Sequence, residues 1–216
     1  NGMVVGYTGK ELYVSEPFIP YAFPAKYALA FDTDIQGVGY FNQTIIVVTK
    51  TQVYRVTGAA PETLYSDTTG FLQTCVSNRG FITTPTGTYF PTTEGLAFTD
   101  GSTVQIVSES WITPEQWRDL SPETFVAAYH NGRYVCIRNG TPYGYTIDLS
   151  TGEFTSFDLS GTATAIYDIY HDTETDEVLF LTNVSSSYRL YVFEGASTDL
   201  PYTWKSKEFQ DSVKYN

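Results

Sequence analysis

Two histidines, two cysteines and a few clustered carboxylates are the residues of this 216-residue chain whose types and spacing could do chemistry. His130 and His171 each close an apolar stretch ahead of a polar turn. An imidazole placed so is a general base or metal ligand if partners converge on it, and a hydrogen-bonded turn residue if they do not. We read both as turn residues. Two His and two Cys scattered along the chain lack zinc-ligand spacing. Asp172-Thr173-Glu174-Thr175-Asp176-Glu177 offers carboxylates at i, i+2 and i+4, the spacing with which Asp172, Glu174 and Asp176 would gather on calcium. The Gly and the later bidentate Glu of such a loop are missing, so the expectation is a solvated hairpin tip. Glu109, Glu115, Asp119 and Glu123 are close enough in sequence to suggest a glycosidase pair, but loop carboxylates are ordinarily just hydrated. Gly-x-Ser-x-Gly, His-Glu-x-x-His and phosphate-loop patterns are absent from the sequence. The chain therefore reads as no enzyme, with no catalytic residue, cofactor or metal ligand assigned.

Composition narrows the classes further. Charged residues make up 17% and aromatics 16%, the reverse of a disordered chain. Lys and Arg number 12 against 24 Asp and Glu, a net charge of −12. Gripping phosphates or an anionic membrane needs clustered cations, and this chain has few. Apolar runs such as Ile45-Ile46-Val47-Val48 are too short to span a bilayer, so no membrane insertion is expected. No signal-type leader is visible, and the sequence opens on Asn1 without an initiator Met, so it is expected to be processed or a piece of a longer chain. Cys75 and Cys136 each lie among apolar residues and are expected as free buried thiols rather than a bridge. Tyr7, Tyr13, Tyr21, Tyr27, Tyr40 and Tyr54 crowd the first quarter. Such rings stack on sugars or form interfaces when exposed; here most are expected to fill space between sheets.

The elements that must position these groups are strands. Period-two alternation and β-branched runs dominate, as in Thr44–Thr49, Arg133–Arg138 and Tyr143–Asp148. Thr8-Gly9-Lys10, Asp100-Gly101, Asn131-Gly132 and Ser150-Thr151-Gly152 supply tight hairpin turns. One stretch departs: Thr113-Pro114-Glu115-Gln116-Trp117 has an N-cap and a Pro at the first helical position, and Ser121-Pro122-Glu123 repeats that opening. A short helical connection near 113–123 is predicted. Hairpin turns near Asn42, Gly87, Asn131 and Glu174 recur about every 44 residues, inside the range of about 40–50 for propeller blades. The blocks are Gly37–Gly58, Phe81–Ser108, Phe125–Asp158 and Ala165–Glu194. The predicted fold is all-β, a β-propeller or large part of one, of four-stranded antiparallel blades. Residues 1–216 form one domain of four fairly complete blades plus a split closing blade. The Met3–Ser15 hairpin and a lone strand at Tyr202–Phe209 are its two parts. The competing architecture is a β-sandwich.

An ordered set of residues carries a resemblance. Ser15-Glu16-Pro17-Phe18-Ile19-Pro20-Tyr21-Ala22-Phe23-Pro24 comes first, then Ile35-Gln36-Gly37-Val38. Gln73-Thr74-Cys75-Val76-Ser77 with Arg79 follows, then Glu94-Gly95-Leu96, Trp117, Gly132-Arg133-Tyr134 and Tyr202-Thr203-Trp204-Lys205-Ser206-Lys207. In order and spacing this resembles tailed-bacteriophage virion structural proteins, the propeller-containing nozzle or tail-tube component of short-tailed phages. It covers roughly residues 11–209. Two positions depart from that pattern: Phe18 stands where a Gly is expected and Phe23 where a Trp is common.

The resemblance implies a structural tail subunit that forms a homo-oligomeric ring around the DNA channel, contacts neighbouring tail proteins and resides in the virion. Genomic DNA would pass without sequence-specific binding, and repulsion between phosphates and a channel wall of −12 per subunit would prevent adhesion. The alternative is a carbohydrate- or receptor-binding propeller.

Overall fold

The computed structural model describes residues 2–195. Eighteen strands fall into five antiparallel sheets in chain order. The first holds β1 (Val5–Thr8), β2 (Glu11–Val14) and β3 (Leu29–Ala30). The second holds β4 (Ile35–Phe41), β5 (Thr44–Thr49), β6 (Val53–Thr57) and β7 (Tyr65–Thr68). The third holds β8 (Ile82–Thr84), β9 (Gly87–Pro91), β10 (Leu96–Thr99) and β11 (Val104–Ile106). The fourth holds β12 (Phe125–His130), β13 (Arg133–Arg138), β14 (Tyr143–Asp148) and β15 (Phe154–Asp158). The fifth holds β16 (Ala165–Asp172), β17 (Glu177–Val184) and β18 (Ser187–Val192). Within each sheet every strand pairs with its neighbour in sequence. The first strands β1, β4, β8 and β12 each lie beside the next sheet's first strand, ending at β16. Sheets that meander outward from adjacent first strands are the blades of a β-propeller.

Strand chemistry follows from this placement. In β5, Ile45 and Val47 pack toward the first sheet with Leu12 and Phe31, while Ile46 and Val48 pack toward the third with Phe90 and Ala97. In β13, Tyr134 and Cys136 face the third sheet, and Val135 and Ile137 face the fifth. A strand covered on both faces needs no polar side, so these read as unbroken apolar runs. Each fully buried Leu, Ile or Phe contributes about 1.5–3 kcal/mol. Outer strands show the opposite: all four residues of β7 are exposed.

The recurrent turn of the sequence is the same turn in each blade, joining first strand to second. It is Asn42-Gln43, Pro85-Thr86, Asn131-Gly132 and 173–176 in the second to fifth sheets. Asn42, Gln43, Asn131 and Gly132 all have positive φ, as a two-residue hairpin turn requires. In the third sheet the turn precedes Gly87, which already belongs to β9. Buried threonines finish the hairpins between second and third strands: Thr49 and Thr92 hydroxyls donate to the carbonyls of Gln52 (3.0 Å) and Gly95 (2.8 Å).

The helical connection forms as α1 (Pro114–Asp119), between the third and fourth sheets. Thr113 Oγ1 accepts from Gln116 N at 3.3 Å and Gln116 Oε1 accepts from Thr113 N at 3.0 Å. The second opening differs: Ser121 makes no side-chain cap, sits at φ 61° and leads into one 3-10 turn. The end blades differ too. The opening hairpin gains β3 as a third strand, and the block at 165–194 has three strands among the described residues. The closing strand expected at Tyr202–Phe209 lies outside the described residues. Cys75 and Cys136 are free and buried, in different interblade clusters. Burial pushes the Cys75 thiol up to about 12 and raises that of Cys136 further.

Candidate functional site

The two histidines meet. β12 and β16 are neighbouring first strands, His130 ends one and His171 is next to last in the other. Their rings lie 5.8 Å apart, edge to face. The turn after β16 then brings a carboxylate back: Asp176, at φ 56°, places Oδ1 2.8 Å from His171 Nε2 and 3.8 Å from His130 Nδ1. His130 is 8% exposed, and its Nδ1 is buried with no hydrogen-bond partner. Its Nε2 lies 2.9 Å from the Asn131 side-chain amide. His171 is partly open and Asp176 exposed.

The same turn resolves the acidic run. Asp172 Oδ1 accepts from Glu174 N at 2.9 Å, closing a local turn, while Asp176 turns to the imidazoles. Among the described residues, the ligand atoms that converge are those of His130, His171 and Asp176, without Asp172 or Glu174. Glu109, Glu115, Asp119 and Glu123 form no such group there. Glu115 pairs with Arg118 at 3.3 Å, and hydrogen bonds from backbone and Thr113 hold its carboxyl below the usual range. Both histidines were visible as candidates, but the cluster was not, because its third member comes from a different feature of the sequence. One signal could have found it: matching positions on consecutive first strands of a propeller are spatial neighbours.

The early tyrosines do not mainly fill interblade space. Tyr27 alone of the six is buried, and its hydroxyl donates to Glu62 Oε1 at 2.7 Å. Tyr13 donates to Glu11, and Tyr54 donates to Asp32 at 2.5 Å. Burial, then the Asp32 bond, pushes the Tyr54 phenol up to about 12. Tyr7 and Tyr40 are exposed and flank a cleft of about 680 Å³ between the first two sheets, lined without any charged or histidine side chain. That lining offers only the Tyr7 and Tyr40 phenols as titratable proton donors, with no carboxylate or imidazole beside them.

A second surface stands out. Between β2 and the 3-10 turn at Ala25–Tyr27, the backbone folds on itself: Glu16 N donates to Ala22 O (2.9 Å), and Phe18 N donates to Gly2 O (2.7 Å). The loop so fixed presents Phe18 (83% exposed), Ile19, Tyr21 (85%) and Phe23 to solvent. Phe18 holds φ 61°, a conformation natural to Gly.

The sequence matches no protein-family model, and no curated protein is significantly similar to it. Solved structures are similar in fold. The AfRom2 CNH domain superposes on 87% of this chain with a TM-score of 0.52 at 11% identity, and this chain spans 58% of that chain's length. The N-terminal domain of Nup159 covers 88% of this chain, and this chain 55% of it, with a TM-score of 0.48 at 11% identity. The WD40 β-propeller domain of Doa1 gives 0.44 at 10% identity, covering 88% of this chain and 68% of its own. At such identity likeness bears on fold alone, and the five successive antiparallel sheets make this chain a β-propeller.

Proposed function

We propose that this propeller is a structural subunit of a short-tailed phage tail, of the nozzle or tube type, and that it forms a ring with copies of itself around the DNA path. The observation that carries this reading is the fixed apolar loop at Phe18–Phe23. Four large apolar side chains held outward by backbone hydrogen bonds suit a buried contact between protein surfaces. The loop lies in the segment that opens the tail-protein resemblance, and the left-handed Phe18 stands at the position where that pattern has Gly.

Electrostatics is compatible with the same role. Lys50, Arg55, Arg79, Arg118 and Arg133 are all paired with carboxylates, at 2.6–3.3 Å. Carboxylates outnumber cations two to one over the whole sequence, for a net charge of −12. Such a subunit repels passing phosphates and serves as scaffold, with no chemistry assigned to it.

The test is negative-stain electron microscopy with mass photometry on the purified chain and on the particle that carries it. Closed rings are expected, weakened by Tyr21→Ser with unchanged circular dichroism. Monomers at all concentrations together with specific hits on a glycan array would replace this reading with the receptor-binding one.

A further inference from the structure

We propose that His130, His171 and Asp176 form a binding site for one divalent transition-metal ion of the zinc class, clipping the fourth blade to the fifth. Three observations converge. The three ligand atoms all lie within 4.8 Å of one another. The His130 ring is nine-tenths buried, with Nδ1 facing Asp176 at 3.8 Å, too long for a hydrogen bond. That nitrogen has no other partner, and a polar atom buried without one is costly unless something fills the gap.

Geometry and donor chemistry select the ion. Zinc bonds of about 2.0–2.1 Å in a tetrahedron place ligand atoms roughly 3.3 Å apart. The two measured separations from Asp176 Oδ1, 2.8 and 3.8 Å, straddle that value. Asp176 is exposed, so its carboxylate is not held by packing in the observed position. Two imidazoles and one carboxylate suit zinc, copper, nickel or iron, whereas calcium and magnesium prefer oxygen. Binding at Nδ1 requires the proton on Nε2, so Asn131 must offer Oδ1 to it. A half-turn of the Asn131 amide does this without moving any heavy-atom position, and it then orients the ligand from behind. The turn at Asp172–Glu177 carries four carboxylates that raise the local cation concentration. The partly open His171 and exposed Asp176 leave the fourth coordination position to water.

The proposal stands apart from the tail reading, since it concerns two blades of one chain. His130 and His171 are the only two histidines of the chain, and both cysteines are buried elsewhere, so imidazole ligation is assignable without ambiguity. The experiment uses untagged full chain, loaded with Zn²⁺, dialysed and measured by elemental mass spectrometry, with Co²⁺ as a spectroscopic probe. Expected are one zinc per chain, the visible absorption of tetrahedral cobalt, and a melting point that zinc raises and calcium does not. His171→Gln and Asp176→Asn, both at partly or fully exposed positions, should keep the fold and lower affinity at least about tenfold. No retained zinc in the wild-type chain, or equal retention in the His171→Gln/Asp176→Asn double variant, would overturn the site.

Discussion

At the scale of single residues, backbone conformation and local hydrogen bonding decide more than residue type. Phe18 carries a large side chain at φ 61°, where an L residue is strained by roughly 1–2 kcal/mol. Its ring is 83% exposed, so little packing offsets that strain. Phe18→Gly should therefore leave stability unchanged or raise it by about 0.5–1 kcal/mol in urea melts, after the added freedom of the unfolded glycine is deducted. A loss above about 1 kcal/mol would mean that the ring is a structural part of this chain. The same substitution should weaken ring assembly, which separates surface function from fold. Asp148 shows local donors at work. Its Oδ1 accepts from Ser150 Oγ (2.6 Å) and from the Ser150 and Thr151 amides (2.8 Å each), and these hold its carboxyl down at about 2. Because its folded value lies below the unfolded one of about 3.9, this stabilisation is complete above pH 4. It is lost as pH falls through 2. Asp148→Asn should flatten the acid limb of the stability curve between those limits, and an unchanged limb would refute the assignment.

At the scale of elements, one short helix ties two blades together. Trp117 on α1 is fully buried, packs edge to face on Phe125 at 5.6 Å, and donates Nε1–H to Thr92 O at 2.8 Å. Trp117→Ala should cost about 3–5 kcal/mol by opening a cavity. Trp117→Phe should cost about 1–3 kcal/mol by leaving the Thr92 carbonyl unpaired. Denaturant titration of both separates volume from hydrogen bonding: a negligible loss in Trp117→Phe would discount the Thr92 bond, and equal losses would discount the cavity. This helix was legible in the sequence, because Thr113, Pro114 and Gln116 carry their capping chemistry locally. So were the Arg133–Arg138 and Tyr143–Asp148 strands and the repeat of first turns. Others were hidden for physical reasons. β7 is polar and exposed, so it shows no apolar face. β4 holds Gly37 and Gly39, poor strand formers, because a Cβ at either would strike Phe81 or Thr88 of the next blade. The histidine cluster was half visible: residue types gave the candidates, but only blade-to-blade register brings positions 130 and 171 together.

At the scale of the whole molecule, each blade is a local meander joined to its neighbours by interblade clusters. Among the described residues, the five first strands carry only Asp168 and Asp172 as acids, and the other carboxylates lie in turns, connections and later strands. Assembly through the apolar loop should therefore strengthen with salt, since screening weakens repulsion between like-charged subunits. Mass photometry from low to moderate ionic strength checks this, and dissociation on adding salt would point to ion pairs instead. The sandwiching of β5 and β13 between other sheets has a further consequence, in the time domain. Amides in these middle strands open to deuterium only when two interfaces part together, whereas those of the outer β7 and β15 need just one edge to fray. Isotope uptake should thus run from rim to hub within every blade, and slowest where a sheet is flanked on both sides.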